Sequence, residues 1–321
     1  HHAMGAELSR MGMLDQSLVH LKDALRLLNE EFGQHHPRIA DVLTDLGITH
    51  IKLSEFSVAL TIFQDALDAR INTREVDKLA VSVTNVNMAT CYLHMGQHQK
   101  ALSLLTPAHA TQAAALGKNH PNVAAIARNI GCAHLARGDA KRALHYLNQA
   151  LVAELELGGG LTSLDAAETG SNIGMALLEM GSFPEARERF EQVLDVRLNI
   201  LGERHPQVAL TVKMLGHVHR LMEEPERALK YYEKALLMET EAYGAASMHV
   251  LLAETRYHVA DMLLTLNDPQ RAKGLFEAAA AAFALRLGSD HPSTRQAQQA
   301  AEDAMYTPFK GGQGGSDTFT P

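Results

Sequence analysis

Residues 131–150 read GCAHLARGDAKRALHYLNQA, with three small residues, Gly131, Ala143 and Ala150, and the bulky Leu147 between the last two. Moving along the chain by about 42 residues in either direction finds the same arrangement. The first small position recurs as Gly5, Gly47, Ala89, Gly131, Gly174, Gly216 and Ala260, and the second as Ser17, Ala59, Ala101, Ala143, Ala186, Ala228 and Ala272. A third holds Ala24, Ala66, Ala108, Ala150, Val193, Ala235 and Ala279, and the large residue is Leu21, Phe63, Leu105, Leu147, Phe190, Tyr232 and Phe276. Self-similarity at a fixed period marks a repeat array, in which each unit packs only on its neighbours.

Two antiparallel helices approach closely only where one side chain is nearly absent. Gly or Ala on the first helix supplies that gap, and the large residue of the second helix fills space towards the next pair. Gly96, Gly138 and Gly181 punctuate the expected turns within pairs, with Ser54, Glu223 and Asn267 in the same place elsewhere. His36-Pro37, His120-Pro121, His205-Pro206 and His291-Pro292 open every second repeat, with Pro in the first helical turn. Intervening repeats are expected to begin near Asp77-Lys78, Thr162-Ser163 and Ser247-Met248, where Asp, Ser or Thr caps a helix. Pro107 falls inside a second helix and is expected to bend it.

The small-large-small spacing resembles the tetratricopeptide repeat. The stretched period, with FGQHHPRIA (32–40), LGKNHPNVA (116–124), LGERHPQVA (201–209) and LGSDHPSTR (287–295), resembles its kinesin light chain branch. The resemblance implies an all-α, right-handed α-solenoid of about seven helix-turn-helix repeats. Expected bounds are 5–30 (first helix truncated), 36–74, 78–116, 120–157, 163–201, 205–243 and 248–287, then a capping helix at 291–306 and a flexible tail at 307–321. Residues 1–4 read as a tag remnant.

The formal charge of −8 and the lack of a basic cluster argue against a nucleic-acid partner. No run of 18 apolar residues argues for membrane insertion. Cys91 and Cys132, the only cysteines, stand far apart and read as small core or groove residues in a reducing, cytoplasmic setting. No cofactor and no metal are expected. His94 and His98 flank the turn at Gly96, and His217 and His219, two apart, point away from each other. The Gly158-Gly159-Gly160 run lacks the Lys-Ser/Thr of a phosphate loop and reads as linker, and no nucleophile with base and orienting acid stands out, so an enzyme is not expected.

In the family that the chain resembles, first helices line an inner groove, and the residue two before the small position faces it. Here that residue is Asp45, Asn87, Asn129, Asn172, Met214 and His258. Asn offers a donor and an acceptor, so the ladder Asn87, Asn129, Asn172 is expected to grip a peptide backbone whatever its side chains. The residues one earlier, Thr44, Val86, Arg128, Ser171, Lys213 and Tyr257, are read as groove neighbours, with Arg128 and Lys213 offering positive charge. Ile51, Leu93, Leu135, Leu178 and Leu264 form an apolar floor that Arg220 interrupts. The expected ligand is an extended, acidic and hydrophobic short linear motif of a partner protein. The resemblance adds motor or cytoskeletal partners and a cargo-linking adaptor role. A peptide-sensing regulatory domain controlling an attached effector, or a scaffold using the outer face, are the alternatives. The tail, with Phe309, Asp317 and Phe319, is expected to dock on this or a neighbouring molecule.

Overall fold

The computed structural model describes residues 1–33, 36–73, 75–158, 163–244 and 247–306. Among the described residues the secondary structure is fifteen α-helices and no strand. The chain divides into two compact units between Met180 and Gly181. The first contains α1 (His2–Arg10), α2 (Leu14–Phe32), α3 (Pro37–Lys52), α4 (Phe56–Ile71), α5 (Lys78–His94), α6 (His98–Leu116), α7 (Pro121–Leu135), α8 (Ala140–Gly158) and α9 (Leu164–Glu179). The second contains α10 (Phe183–Leu201), α11 (Pro206–Leu221), α12 (Pro225–Tyr243), α13 (Val250–Thr265), α14 (Pro269–Leu287) and α15 (Pro292–Tyr306).

The small positions act as the spacing dictates. A Cβ on Gly131 of α7 would stand 2.6 Å from Leu147 Cγ of α8, and one on Gly47 of α3 only 2.5 Å from the Phe63 ring of α4. In the second unit a Cβ on Gly216 of α11 would meet the Tyr232 ring of α12 at 2.8 Å. The large residues themselves are fully buried and carry packing on to the next pair. Leu105 of α6 packs in one cluster with Ile126 and Ile130 of α7, Leu147 with Ala166 and Ile173 of α9, and Tyr232 with Val259 and Met262 of α13. Within the first unit, consecutive odd-numbered helices also touch each other directly, which puts the first helices side by side as one layer.

Helix ends follow local chemistry. His36, His120, His205 and His291 are N-caps whose Nδ1 accepts the backbone N–H two residues on, at 3.1–3.2 Å. His249 does the same for α13, so that helix is capped by a histidine and not by the serine expected near 247. Asp77 caps α5 and Ser163 caps α9. The turns within pairs place Gly96, Gly138 and Gly181 at φ near +70 to +75°, and Ser54, Glu223 and Asn267 adopt the same left-handed backbone without being glycine. α6 runs through Pro107 unbroken. Gly158 ends α8; Gly159, Gly160, Thr162 and the tail residues Phe309, Asp317 and Phe319 lie outside the described residues.

Candidate functional site

Because the small residue of α3, α5, α7, α11 and α13 faces the second helix of its own pair, the residue two positions earlier on these helices lies about 200° around the axis and points away from it. Asn87 of α5, Asn129 of α7 and Asn172 of α9 occupy that position on neighbouring helices of the first unit, and all three are half-buried. Nδ2 of Asn87 is shielded from water and has no hydrogen-bond partner. Among the described residues the carboxamides of Asn129 and Asn172 take none either. Asp45, at the same register in α3, is engaged by His2 at 2.7 Å. In the second unit the register passes to Met214 and His258, both half-buried.

The row one residue earlier is placed differently from the expectation. Lys213 is only 3% exposed, and its Nζ lies 3.7 Å from Glu239 Oε1 and 3.5 Å from Glu254 Oε2. Arg128 Nη1 lies 3.6 Å from Glu154, 3.1 Å from Asp165 and 3.7 Å from Glu168. Neither cation stands free to meet an acidic ligand. Each is held between the second helix of its own repeat and the first helix of the next, and around Arg128 the carboxylates outnumber the guanidinium. Thr44 is likewise turned inward, accepting a hydrogen bond from Arg70 at 3.2 Å. Val86, Ser171 and Tyr257 at this row are half-buried.

These partners form a set that sequence reasoning missed. Eleven residues after the small position of the second helix stand Arg70, Gln112, Glu154, Arg197 and Glu239, in successive repeats. Gln112, Glu154, Arg197 and Glu239 are buried, and the Arg70 side chain is only 14% exposed. Burial pushes the Glu154 and Glu239 carboxyls above the usual range, opposed by Arg128 and Lys213 respectively. Arg197 instead donates to Thr211 at 2.7 Å. The signal was available: one long polar residue at a fixed register, in a helix face otherwise filled by Ala and Leu.

The second unit carries a ring cluster where the first carries asparagines. His217 of α11 and His258 of α13 meet with centroids 4.8 Å apart, Tyr232 stacks on His258, and the Tyr232 hydroxyl and His217 Nδ1 are 2.8 Å apart. Arg220, which interrupts the apolar floor, and Asp261 and Lys213 act on the same cluster electrostatically. In the first unit Ile51, Leu93 and Leu178 are half-buried and Leu135 buried, as is a floor packed on its own repeat; Leu264 is half-buried in the second.

The sequence profile of the tetratricopeptide repeat matches residues 1–72, 80–151 and 165–238. The chain belongs to the tetratricopeptide repeat family. Its similarity to the Clustered mitochondria protein homolog of Aedes aegypti is 26% identity over 198 residues, 62% of this chain and 14% of that protein. To Protein KINESIN LIGHT CHAIN-RELATED 1 of Arabidopsis thaliana it is 21% over 280 residues, 87% of this chain and 45% of that one. The chain thus spans less than half the length of either. Among solved structures, BtubC (BKLC) from P. vanneervenii superposes with a TM-score of 0.60 at 19% identity, over 72% of this chain and 92% of that chain. Kinesin light chain-like relatives therefore stand among the known proteins that share this repeat, and the fold is that of a protein-interaction scaffold.

Neither thiol of this tetratricopeptide repeat chain is activated: burial pushes Cys91 and Cys132 up to about 11. Among the described residues no three His, Cys, Asp or Glu side chains converge on a metal-sized point, and no helix is long and apolar enough to cross a membrane. His94 ends α5 and His98 opens α6, so their spacing is not one helical face.

The ring cluster has a pH consequence. Burial, reinforced by Arg220 and Lys213, takes His217 down to about 4 and His258 down to about 3. Unfolded imidazoles take up protons near 6.5 that the folded cluster refuses, so stability held above about pH 6.5 is lost as the pH falls towards about 4. Between about pH 7 and about pH 5 each ring is expected to remove on the order of 1–2 kcal/mol, discounted for partial exposure. The raised Asp261 and Glu239 carboxyls act with the opposite sign. Comparing thermal unfolding of the parent and His258→Asn at both pH values isolates the imidazole part: the variant is expected to lose less, and equal losses would contradict the assignment.

Proposed function

We propose that this chain holds an extended segment of a partner protein along its first helices, with Asn87, Asn129 and Asn172 gripping the segment's backbone. The observation that carries the reading is one residue type at one register on three adjacent helices, with carboxamides that the protein leaves unused and, at Asn87, a shielded Nδ2 with nothing to bond. A buried donor without a partner costs about 1–3 kcal/mol, which a ligand carbonyl recovers. The half-buried Leu93 and Leu178 beside the ladder add apolar contact. An acidic preference is not retained, because the charges of Arg128 and Lys213 are already matched by Glu154, Asp165, Glu168, Glu239 and Glu254. Within this reading, a cytoplasmic adaptor between cargo and a cytoskeletal motor is supported by the kinesin light chain-like relatives.

Peptides selected from a displayed random library against the folded chain supply the probe. Calorimetric titration should then show each single Asn→Ala change weakening binding about tenfold, the loss of one to two backbone bonds at ~1 kcal/mol each, with little change in melting temperature for Asn129→Ala and Asn172→Ala and an unchanged or higher one for Asn87→Ala, which removes the shielded unbonded donor. If all three variants bind like the parent, the ladder is not the grip and the outer face becomes the better reading.

A further inference from the structure

Residues 137–142, RGDAKR, span the turn between α7 and α8 and the start of α8, and they carry three cations and one acid in a chain of formal charge −8. Arg137 breaks the chain's own repeat. Six residues after the first small position stand Met11, Leu53, Met95, Arg137, Met180, Met222 and Leu266, so a single repeat exchanges an apolar residue for a guanidinium. Arg137 is exposed, and among the described residues it takes no ion pair.

A cavity of about 400 Å³ lies between α6 and α8 on the second-helix side, lined by Arg137 and Arg142 together with Gln99, Thr106, His134 and Tyr146, and by no carboxylate. Asp139, in the same turn, is engaged locally: its Oδ1 accepts the Arg142 backbone N–H at 3.2 Å, and its Oδ2 stands 3.5 Å from Arg142 Nη1. Elsewhere the equivalent arrangement is closed. His50 meets Glu55 and His219 meets Glu224, each at 2.6 Å, and Glu224 also accepts from Arg227 at 3.1 Å. His134 and Asp139 fall at those registers, but aspartate is one methylene shorter, and its Oδ2 stops 3.7 Å from His134 Nδ1. His134 is 7% exposed, and its Nδ1 has no hydrogen-bond partner. In α10, the helix before His219, Glu188 and Glu191 stand at the registers of Ser103 and Thr106, so the acid that would repel an anion there is absent from α6.

Two guanidinium forks bracket a tetrahedral group with three acceptor oxygens better than a planar carboxylate with two. A phosphate monoester also carries a charge of about −2 at neutral pH, which matches the two arginines. We infer that this cavity is a second binding site, separate from the ladder, that takes a phosphate monoester carried on a serine or threonine side chain of a partner protein. Arg137 and Arg142 meet the phosphate oxygens, and Gln99 and Thr106 meet the adjoining peptide group.

N-acetyl-O-phosphoserine amide, N-acetyl-glutamate amide and inorganic phosphate are the probes, titrated into the whole chain and followed at the Thr106 methyl and the Tyr146 ring by NMR. Phosphoserine is expected to give saturable shifts about threefold tighter than glutamate, a ratio in the range of one further exposed ion pair. Arg137→Met, which restores the residue type of the other repeats, should bring phosphoserine and glutamate to parity at a melting temperature equal to or above the parent's. Inorganic phosphate binding as tightly as phosphoserine would overturn the partner reading and leave a site for free phosphate. Absence of saturation for all three probes, parity of phosphoserine and glutamate in the parent, or unchanged binding in Arg137→Met would overturn the site itself.

Discussion

Gly131→Leu is expected to destabilise the chain by about 3 kcal/mol, at the upper end of overpacking costs, because there is no space for even the first atom of the new side chain. A Cβ there lies 2.6 Å from Leu147 Cγ and 3.2 Å from the Ala143 carbonyl oxygen, so relief requires both a rotamer change and separation of α7 from α8. Leu147 cannot retreat freely, since it packs on Ala166 and Ile173 of α9. The same register holds Ala89 against Leu105 and Ala260 against Phe276, which shows that helix separation is set pair by pair and that alanine alone is the gentler change. Calorimetric unfolding checks this: a melting temperature equal to the parent's would mean that the repeat register is misassigned.

Lys213→Met is expected to cost about 3–5 kcal/mol, the range for removing one partner of a buried ion pair. Glu239 would be left 4% exposed with no opposing charge, and Glu254 would lose its cation. The double change Lys213→Met with Glu239→Leu should recover most of the loss, because a matched apolar pair needs no neutralisation. The chain already contains such a version, Tyr257 and Phe283, at the same two registers of the last repeat. Denaturant unfolding of the single and double variants gives the coupling, and additive losses would contradict the pairing.

This pairing also shows where sequence reading succeeds and where it stops. Gly131, Ala143 and Leu147 announce the helix pair because their spacing reports a contact within about 16 residues, repeated seven times. That Asn87, Asn129 and Asn172 fall at one register of α5, α7 and α9 follows from the same spacing. On their own helix faces Lys213 and Arg128 look available, as any charge beside a groove does. Their partners Glu239 and Glu154 lie on the following helix, and only the fold makes 26 residues of separation a contact. Ser247 is the commoner capping type, whereas at α13 the imidazole Nδ1 of His249 does that work.

The central claim is that unused carboxamides on the first helices form the grip. Side-chain amide NMR of the chain, before and after adding a library-selected peptide, tests it most directly. The resonances of Asn87, Asn129 and Asn172 are expected to shift together and to gain protection from exchange with water, while those of Asn148 and Gln149 on the second-helix side stay in place. Shifts confined to second-helix residues, with the three asparagines unmoved under saturating peptide, would contradict the claim.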